Sequence, residues 1–348
     1  MVEPLTFGIF PLGLAGSPDG VASGPPDDFE RVAVAAAELQ GDGPPIMPRM
    51  YVSWTGPGST ESVLRQVGEY AALSLPWDMV LCYRDSSGSV AEWVSFVSQV
   101  VVSHGRELAA IQVTGEPNLT GMRFAADGAY PAVREALVRG VLGAAAAKAE
   151  SSATAAIGFA VAPEVDPAAS GFWAAVRDLG GSDFAAALDY AGMDMYPDVF
   201  GPRIGLDRLP RAVDWVLRTY RERDLTGAGI PATVPIRICE NGWPTGPDRP
   251  EQTQADVLET TLRTVHALRA ELNVTHWELF TLRDADSSND GLFYNFGILR
   301  DDYSRKPAFA RLRALIAELG RPPTLKKSSA DAPYRTDDPA QYGSDQRG

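Results

Sequence analysis

Positive charge is scarce in this chain. Its 31 lysines and arginines face 45 aspartates and glutamates, a net charge of −14. Such a surface repels phosphate backbones and anionic lipid headgroups, so we expect neither a nucleic-acid partner nor a membrane partner. The four lysines, of which Lys148 and Lys306 are two, lie outside the apolar strand-like runs. A buried lysine that forms a Schiff base with a substrate is therefore not expected.

Cysteine, histidine and long apolar runs are also sparse. Cys82 and Cys239 lie in short apolar runs and are predicted to be buried free thiols. The three histidines show no metal-binding spacing, so we expect no metal and no cofactor. No run approaches the 18 or so apolar residues of a membrane span. The first residues lack the basic segment of a signal peptide, which leads us to expect a cytoplasmic protein.

Eight short apolar runs alternate with longer amphipathic segments. The spacing is that of repeated βα units, and the composition does not change along the way. We therefore predict a single-domain α/β fold, a (β/α)₈ TIM barrel over residues 1–320, followed by a polar tail at 321–348. A doubly wound sheet is the rival, but the glycines after the first run lack the phosphate-loop spacing. The predicted strands are 6–10, 49–54, 78–83, 110–114, 156–162, 190–196, 235–240 and 275–280.

Amphipathic patterns predict helices in the gaps between these strands. The patterns are clearest at 27–40, 93–102, 130–150, 207–223, 253–272 and 307–319. Arg283 and Asp284, which follow the eighth strand, are expected to pair with each other and shape the last loop.

Two of the predicted strands end in a glutamate. The fourth runs into Gly115-Glu116-Pro117-Asn118, and the seventh ends in Cys239-Glu240-Asn241-Gly242-Trp243. The carboxyl ends of barrel strands carry the chemistry of this fold, so both side chains are expected at the same mouth of the barrel, on opposite sides of its axis. Two carboxyl groups that face each other across a cleft are the smallest set of catalytic side chains with which a glycosidic bond is commonly cleaved.

These motifs resemble those of the large clan of (β/α)₈ glycoside hydrolases whose acid/base glutamate follows strand four and whose nucleophile follows strand seven. Asp194-Met195-Tyr196-Pro197 on strand six and the segment from Phe296 to Asp301 after strand eight fit the same clan. The resemblance implies a retaining hydrolase that acts by double displacement. Glu240 would be its nucleophile, Glu116 its general acid and then general base, and a carbohydrate glycoside its substrate.

Seven further residues are candidates for substrate binding. Tyr196 resembles the tyrosine that hydrogen-bonds the clan's nucleophile, and Asp194 shares its face of the strand. Arg49 either points inward to a carboxylate or begins its strand at the surface. The three tryptophans near strand ends either stack on sugar rings or belong to the core. The full set is Arg49, Trp54, Asn118, Asp194, Tyr196, Trp243 and Trp277.

Gly115 departs from the clan's pattern. The clan carries an asparagine immediately before the acid/base, where its amide contacts the sugar 2-hydroxyl, and glycine has no side chain to offer. The alternatives to a hydrolase are a catalytically inactive barrel that binds a sugar or a partner, and a transglycosylase that uses the same two steps. A barrel lyase or isomerase acting on a phosphorylated metabolite is disfavoured because the chain lacks a glycine-rich phosphate loop and a suitable lysine.

Overall fold

A computed structural model describes residues 4–320, and the predicted tail at 321–348 lies outside the described residues. Eight parallel strands close into a barrel, in which β1 pairs with both β4 and β10. The predicted (β/α)₈ fold is thereby confirmed, and each predicted strand lies within a few residues of an observed one. The barrel strands are β1 (Thr6–Phe10), β4 (Ile46–Trp54), β5 (Asp78–Tyr83), β6 (Ala110–Val113), β7 (Ala156–Val161), β8 (Tyr190–Asp194), β9 (Ile236–Asn241) and β10 (Val274–Phe280).

Helices connect the strands around the outside of the barrel. The sequence patterns did not single out α2, α6 or the β-hairpin of β2 (Leu14–Ser17) and β3 (Gly20–Ser23). None of the helices within residues 4–320 is long and apolar enough to cross a membrane. The helices are α1 (Phe29–Gln40), α2 (Thr60–Ala71), α3 (Val90–His104), α4 (Val133–Ala149), α5 (Pro167–Ser170), α6 (Phe172–Ala187), α7 (Leu209–Arg218), α8 (Glu251–Leu272) and α9 (Pro307–Leu319).

The predicted helix at 207–223 changes its winding partway along. After α7 the chain continues as a π-helix over Thr219–Leu225. The wider turn lets the Tyr220 hydroxyl donate to the Gly192 carbonyl at 2.7 Å, and Arg221 donate to the Leu272 carbonyl. These contacts fasten the helix to the barrel, which sequence periodicity alone does not report.

Arg283 and Asp284 do not pair with each other, contrary to the prediction. Arg283 forms an ion pair with Asp27 at 2.8 Å, and Asp284 forms one with the buried Lys306 at 2.8 Å. Adjacent residues in an extended segment point to opposite sides, so each side chain meets a different neighbour. Both pairs hold the segment after β10 against the rest of the barrel.

The interior of the barrel is polar, in contrast to the apolar layer between strands and helices. Arg49, Asp78, Gln112 and Glu278 are all buried within it. Small residues on other strands leave room for them. A Cβ atom added at Gly8 would lie 2.5 Å from Cγ of Glu278, closer than real atoms approach. Glycine in β1 is therefore a requirement of the charged interior.

Gly8→Ala is expected to destabilise the protein by about 1–3 kcal/mol, because the added methyl group overpacks against the buried Glu278 side chain. Chemical denaturation gives the measurement. Gly201→Ala is the matched control, since a Cβ there meets nothing within 4 Å. Combining Gly8→Ala with Glu278→Ala should cost less than the sum of the two single changes. If the two costs in stability add fully, the contact between position 8 and Glu278 is not what disfavours a side chain at position 8.

Candidate active site

Glu116 lies in a loop that begins where β6 ends. Thr114 and Glu116 both adopt left-handed backbone conformations, with φ of 68° and 43°. Such angles are uncommon outside glycine and persist only where surrounding contacts impose them. Here Gln112 donates to the Thr114 carbonyl at 2.9 Å, and the Asp127 carboxylate accepts the backbone N–H of Gly115 at 2.7 Å. These two hydrogen bonds hold the loop in place, with Glu116 at the mouth of the barrel.

The environment of Glu116 favours its protonated form. Burial raises the pKa of Glu116 to about 8, with further contributions from the charges of Glu240 and Asp127, while Arg49 acts in the opposite direction. A carboxyl group with such a pKa holds its proton at neutral pH. It can therefore serve as a general acid, as the sequence-based hypothesis requires.

Glu240 reaches the mouth through an irregularity in β9. The strand register shifts after Ile238 against both neighbouring strands, so that Asp194 pairs with Glu240 and Leu279 with Asn241. Strict alternation would send Cys239 and Glu240 to opposite faces of the sheet. The bulge allows the Cys239 thiol to lie in the barrel interior while Glu240 also turns toward its mouth.

Two tyrosine hydroxyls hold the Glu240 carboxylate. Tyr51 donates a short hydrogen bond to Oε1, and Tyr196 donates to Oε2 at 2.5 Å. The guanidinium of Arg49 lies 4.0 Å from Oε1. Burial raises the pKa of both tyrosines well above their usual range, so both remain donors. The surroundings of Glu240 therefore differ from those of Glu116, where burial and neighbouring negative charge raise the pKa.

Arg49 is a buried positioning residue rather than a surface residue. Its guanidinium donates to the Asp78 carboxylate, to Gln112 at 2.7 Å and to the Tyr51 hydroxyl at 2.8 Å. The inward orientation considered for Arg49 is the one observed, and the side chain, only 1% exposed, lies beneath Glu240. It orients Tyr51, which in turn orients Glu240.

Asp194 brings a third carboxyl group close to the pair. It is buried, and neither of its oxygens has a hydrogen-bond partner within the described part of the chain. Burial raises its pKa well above the usual range, and the charges of Glu240 and Glu116 act in the same direction. Asp194 is thus expected to be neutral, and it faces the barrel interior as predicted from its place two residues before Tyr196.

Aromatic rings surround the two phenols. Phe10 packs edge-on against Tyr51 at 5.1 Å and stacks on Phe280 at 5.4 Å. On the other side Phe200 packs against Tyr196 at 5.4 Å, with its own ring 59% exposed. This wall restricts both tyrosines, and Phe200 offers an accessible apolar face beside the carboxylates. The sequence motifs gave no indication of Tyr51, Phe200 or Phe280.

The three candidate tryptophans are core residues. Trp54, Trp243 and Trp277 are each 0% exposed, which leaves no ring face on which a sugar could stack. Trp54 stacks on Tyr83 among the side chains beneath α3, and Trp277 lies on the outer face of β10. Trp243 donates to Asp198 at 3.1 Å. Proximity to a strand end did not show which way each ring points.

Asn118 and Gly115 shape the loop instead of offering side chains to the mouth. The Asn118 amide both donates to and accepts from the backbone of Ala162, at 2.8 and 3.1 Å, so its polar atoms are occupied. A Cβ at Gly115 would meet Cys82 Sγ at 3.5 Å and Asp127 at 3.7 Å, which is ordinary contact. The backbone at Gly115 therefore has room for a Cβ atom.

Within residues 4–320, three buried side chains bring potential metal ligands together. Donor atoms of Asp78, Cys239 and Glu278 lie within 4.8 Å of one another. The Arg49 guanidinium already donates to Asp78 and supplies positive charge beside all three groups. The arrangement is better described as part of the interior charge network than as a cation site.

Comparison with known proteins relates this barrel to sugar-cleaving enzymes. No protein-family profile and no curated protein matches the chain, but solved structures do. A β-glucuronidase from Ruminococcus gnavus bound to D-glucuronic acid aligns with a TM-score of 0.54 and 13% identity, over 90% of this chain and 49% of that chain. The apo β-glucosidase 1317 aligns with a TM-score of 0.55 and 15% identity, over 83% of this chain and 86% of that chain. A fungal β-1,4-galactanase structure aligns with a TM-score of 0.57 and 10% identity, over 90% of this chain and 100% of that chain.

These neighbours are glycoside hydrolases built on the same parallel barrel. Identities of 10–15% relate the folds alone, and the chain spans about half the length of the glucuronidase. The fold that this chain shares with these neighbours is therefore the (β/α)₈ barrel.

Glu116→Gln is expected to stabilise the fold at neutral pH. Between about pH 4.5 and 8 the unfolded chain ionises Glu116 while the folded protein keeps the proton, so stability decreases as pH rises through this range. Glutamine cannot ionise in either state. The free energy of unfolding of the variant should be higher by on the order of 1–3 kcal/mol near neutral pH and unchanged near pH 4.5. Urea unfolding at both pH values gives the comparison.

The exposed Glu107→Gln carries the same chemical change in solvent and is the matched control. A gain for Glu116→Gln that is the same at both pH values would contradict the assignment of a protonated Glu116.

Proposed function

We propose that this protein is a retaining glycosidase that cleaves a β-linked O-glycoside by double displacement. The observation that carries the proposal is the difference between the two carboxyl environments at one mouth. Glu116 holds a proton up to about pH 8, whereas Glu240 accepts hydrogen bonds from Tyr51 and Tyr196. The proposed β-linkage follows the names of the neighbouring structures, which act on β-glucuronides, β-glucosides and β-1,4-galactans.

In the first step, an oxygen of Glu240 attacks the anomeric carbon while Glu116 protonates the departing glycosidic oxygen. The bond between the anomeric carbon and that oxygen breaks, and a glycosyl ester forms on Glu240. Tyr51 and Tyr196 hold the attacking carboxylate in one orientation, and Arg49 supports it from below. The aromatic wall around the tyrosines limits access of water to the hydrogen bonds.

In the second step, Glu116 acts as a base. Esterification removes the charge of Glu240, which had contributed to the raised pKa of Glu116. Glu116 can then ionise, take a proton from water and direct the hydroxide to the anomeric carbon, which releases Glu240. A sugar hydroxyl in place of water gives a transglycosylase by the same steps. Analysis of the products distinguishes the two.

Glu240→Ala should abolish turnover of aryl β-glycosides and regain part of it with azide. The small anion attacks the anomeric carbon from the side that the carboxylate occupied, and the glycosyl azide formed has the inverted configuration. NMR of the products gives the anomeric outcome. Glu116→Ala is the companion variant. It should slow substrates with poor leaving groups far more than those with good ones, which need no proton.

Two results would argue against this assignment. One is full activity of Glu240→Ala without azide. The other is an equal loss in Glu116→Ala for good and poor leaving groups, which would show that Glu116 is not the acid. An anomeric outcome of inversion in the unaltered protein would replace the two-step route by a single displacement with water.

Tyr51→Phe and Tyr196→Phe should each lower kcat by roughly 10–100-fold, because a hydrogen bond to a charged group contributes about 1.5–3 kcal/mol. KM should change less, since neither hydroxyl is assigned a contact with substrate. Tyr83→Phe is the matched control. Its hydroxyl is buried without a hydrogen-bond partner in the described residues, so kcat should stay unchanged. Unaltered kcat in both site variants would remove the tyrosines from the mechanism.

A further inference from the structure

A cavity opens at the end of the barrel opposite the glutamates. It has a volume of about 380 Å³ and lies where the strands begin, beside Thr6, the first residue of β1, and Arg237 near the start of β9. Four prolines, Pro4, Pro44, Pro45 and Pro76, give it largely apolar walls. Arg237 and His276 are its ionisable lining groups.

The Arg237 guanidinium has two buried nitrogen atoms without a hydrogen-bond acceptor among the described residues. The residue is 8% exposed, and its Nε and Nη1 atoms have no hydrogen-bond partner in the part of the chain described. The guanidinium packs on the Tyr190 ring, 4.0 Å from the centroid, which fixes its position. A buried cation without a counterion is unfavourable. An anion in the cavity would remove this deficit.

The neighbouring side chains do not supply that anion. Asp78 is engaged by Arg49. Burial together with the charge of Asp78 raises the pKa of Glu278 well above its usual range, while the charges of Arg49 and Arg237 act in the opposite direction. His276, on the cavity side, is kept neutral because burial and the charge of Arg237 lower its pKa well below the usual value. The positive charge of Arg237 is therefore available to a ligand that enters from the cavity.

We propose that this cavity binds a small organic monocarboxylate, with its carboxylate on Arg237 and its hydrocarbon part against the proline-lined wall. Guanidinium and carboxylate match in charge and in planar geometry. The apolar wall favours an anion that carries a hydrocarbon body. The net charge of −14 opposes ligands with several negative charges. The site is separate from the catalytic mouth and does not rest on the proposed activity.

The purified protein and hexanoate provide the test. Hexanoate should raise Tm progressively with the logarithm of its concentration, because it binds the folded state alone. Hexanamide, of nearly the same size but uncharged, should leave Tm unchanged. NMR of the imidazole groups locates the site. The His276 signal should shift saturably, whereas those of His104 and His266, which do not line the cavity, should not.

Arg237→Met keeps an unbranched apolar stem against Tyr190 and removes the charge. It should abolish the hexanoate response and leave Tm without ligand unchanged or higher, because a buried unpaired charge is lost. Arg65→Met, at a 66% exposed side chain, is the matched control and should respond like the unaltered protein. A hexanoate response that persists in Arg237→Met overturns the proposal.

Two further outcomes are decisive. If Arg237→Met does not fold, the test is the addition of hexanoate to the unaltered protein, followed at the His276 NMR signal. Absence of a saturable shift of that signal overturns the proposal. Inorganic phosphate forms a separate arm of the experiment. A phosphate response as strong as that of hexanoate would show that the apolar wall contributes nothing, which contradicts the assignment of a monocarboxylate.

Discussion

Arg49 donates to Asp78, Gln112 and Tyr51 inside the barrel, and the candidate site depends on this one guanidinium. It reaches both catalytic candidates through different partners. Through Tyr51 it orients Glu240, and through Gln112, which bonds the Thr114 carbonyl, it supports the loop that carries Glu116. Because the guanidinium is planar and has several donors in fixed directions, these contacts set the two sides of the mouth relative to each other.

The two carboxyl groups at the mouth, those of Glu116 and Glu240, have unequal surroundings. Glu116 has burial and neighbouring negative charge, and these favour the proton. Glu240 accepts hydrogen bonds from two tyrosine hydroxyls and lies 4.0 Å from the Arg49 guanidinium. The cost of such an arrangement falls on stability, since a buried carboxyl group that resists ionisation weakens the fold at neutral pH. The left-handed backbone at Thr114 and Glu116 adds to that cost.

Much of the fold could be predicted from sequence because the parallel strands, buried on both faces, appear as short, largely apolar runs between amphipathic segments. The two glutamates could be found for the same reason, as charged residues that end such runs. Which face a side chain occupies was harder to predict. Alternation from Arg49 puts Tyr51 inside the barrel and Trp54 outside, and this signal was available in β4. In β9 the alternation of side chains fails at the bulge. The bulge can be recognised only from the pairing of β9 with its neighbouring strands.

Tertiary contacts account for the other differences. Asn118 has the residue type of a sugar ligand, but its amide bonds the backbone of Ala162, 44 positions away. The partners of Arg283 and Asp284 are likewise distant in sequence, at Asp27 and Lys306. No local pattern encodes such pairings. They are set by which loops the closed barrel brings side by side.

The polar filling of the barrel constrains how its sequence can change. In an apolar core, single substitutions of similar volume are tolerated one at a time. Inside this barrel, replacing Asp78 alone leaves Arg49 uncompensated, and replacing Arg49 alone leaves Asp78 uncompensated, so each single change passes through a costly intermediate. A wholly hydrocarbon interior could be reached only by exchanging these residues together, with Gly8 enlarged to fill the space that Glu278 vacates. The interior is therefore inherited, or redesigned, as one unit.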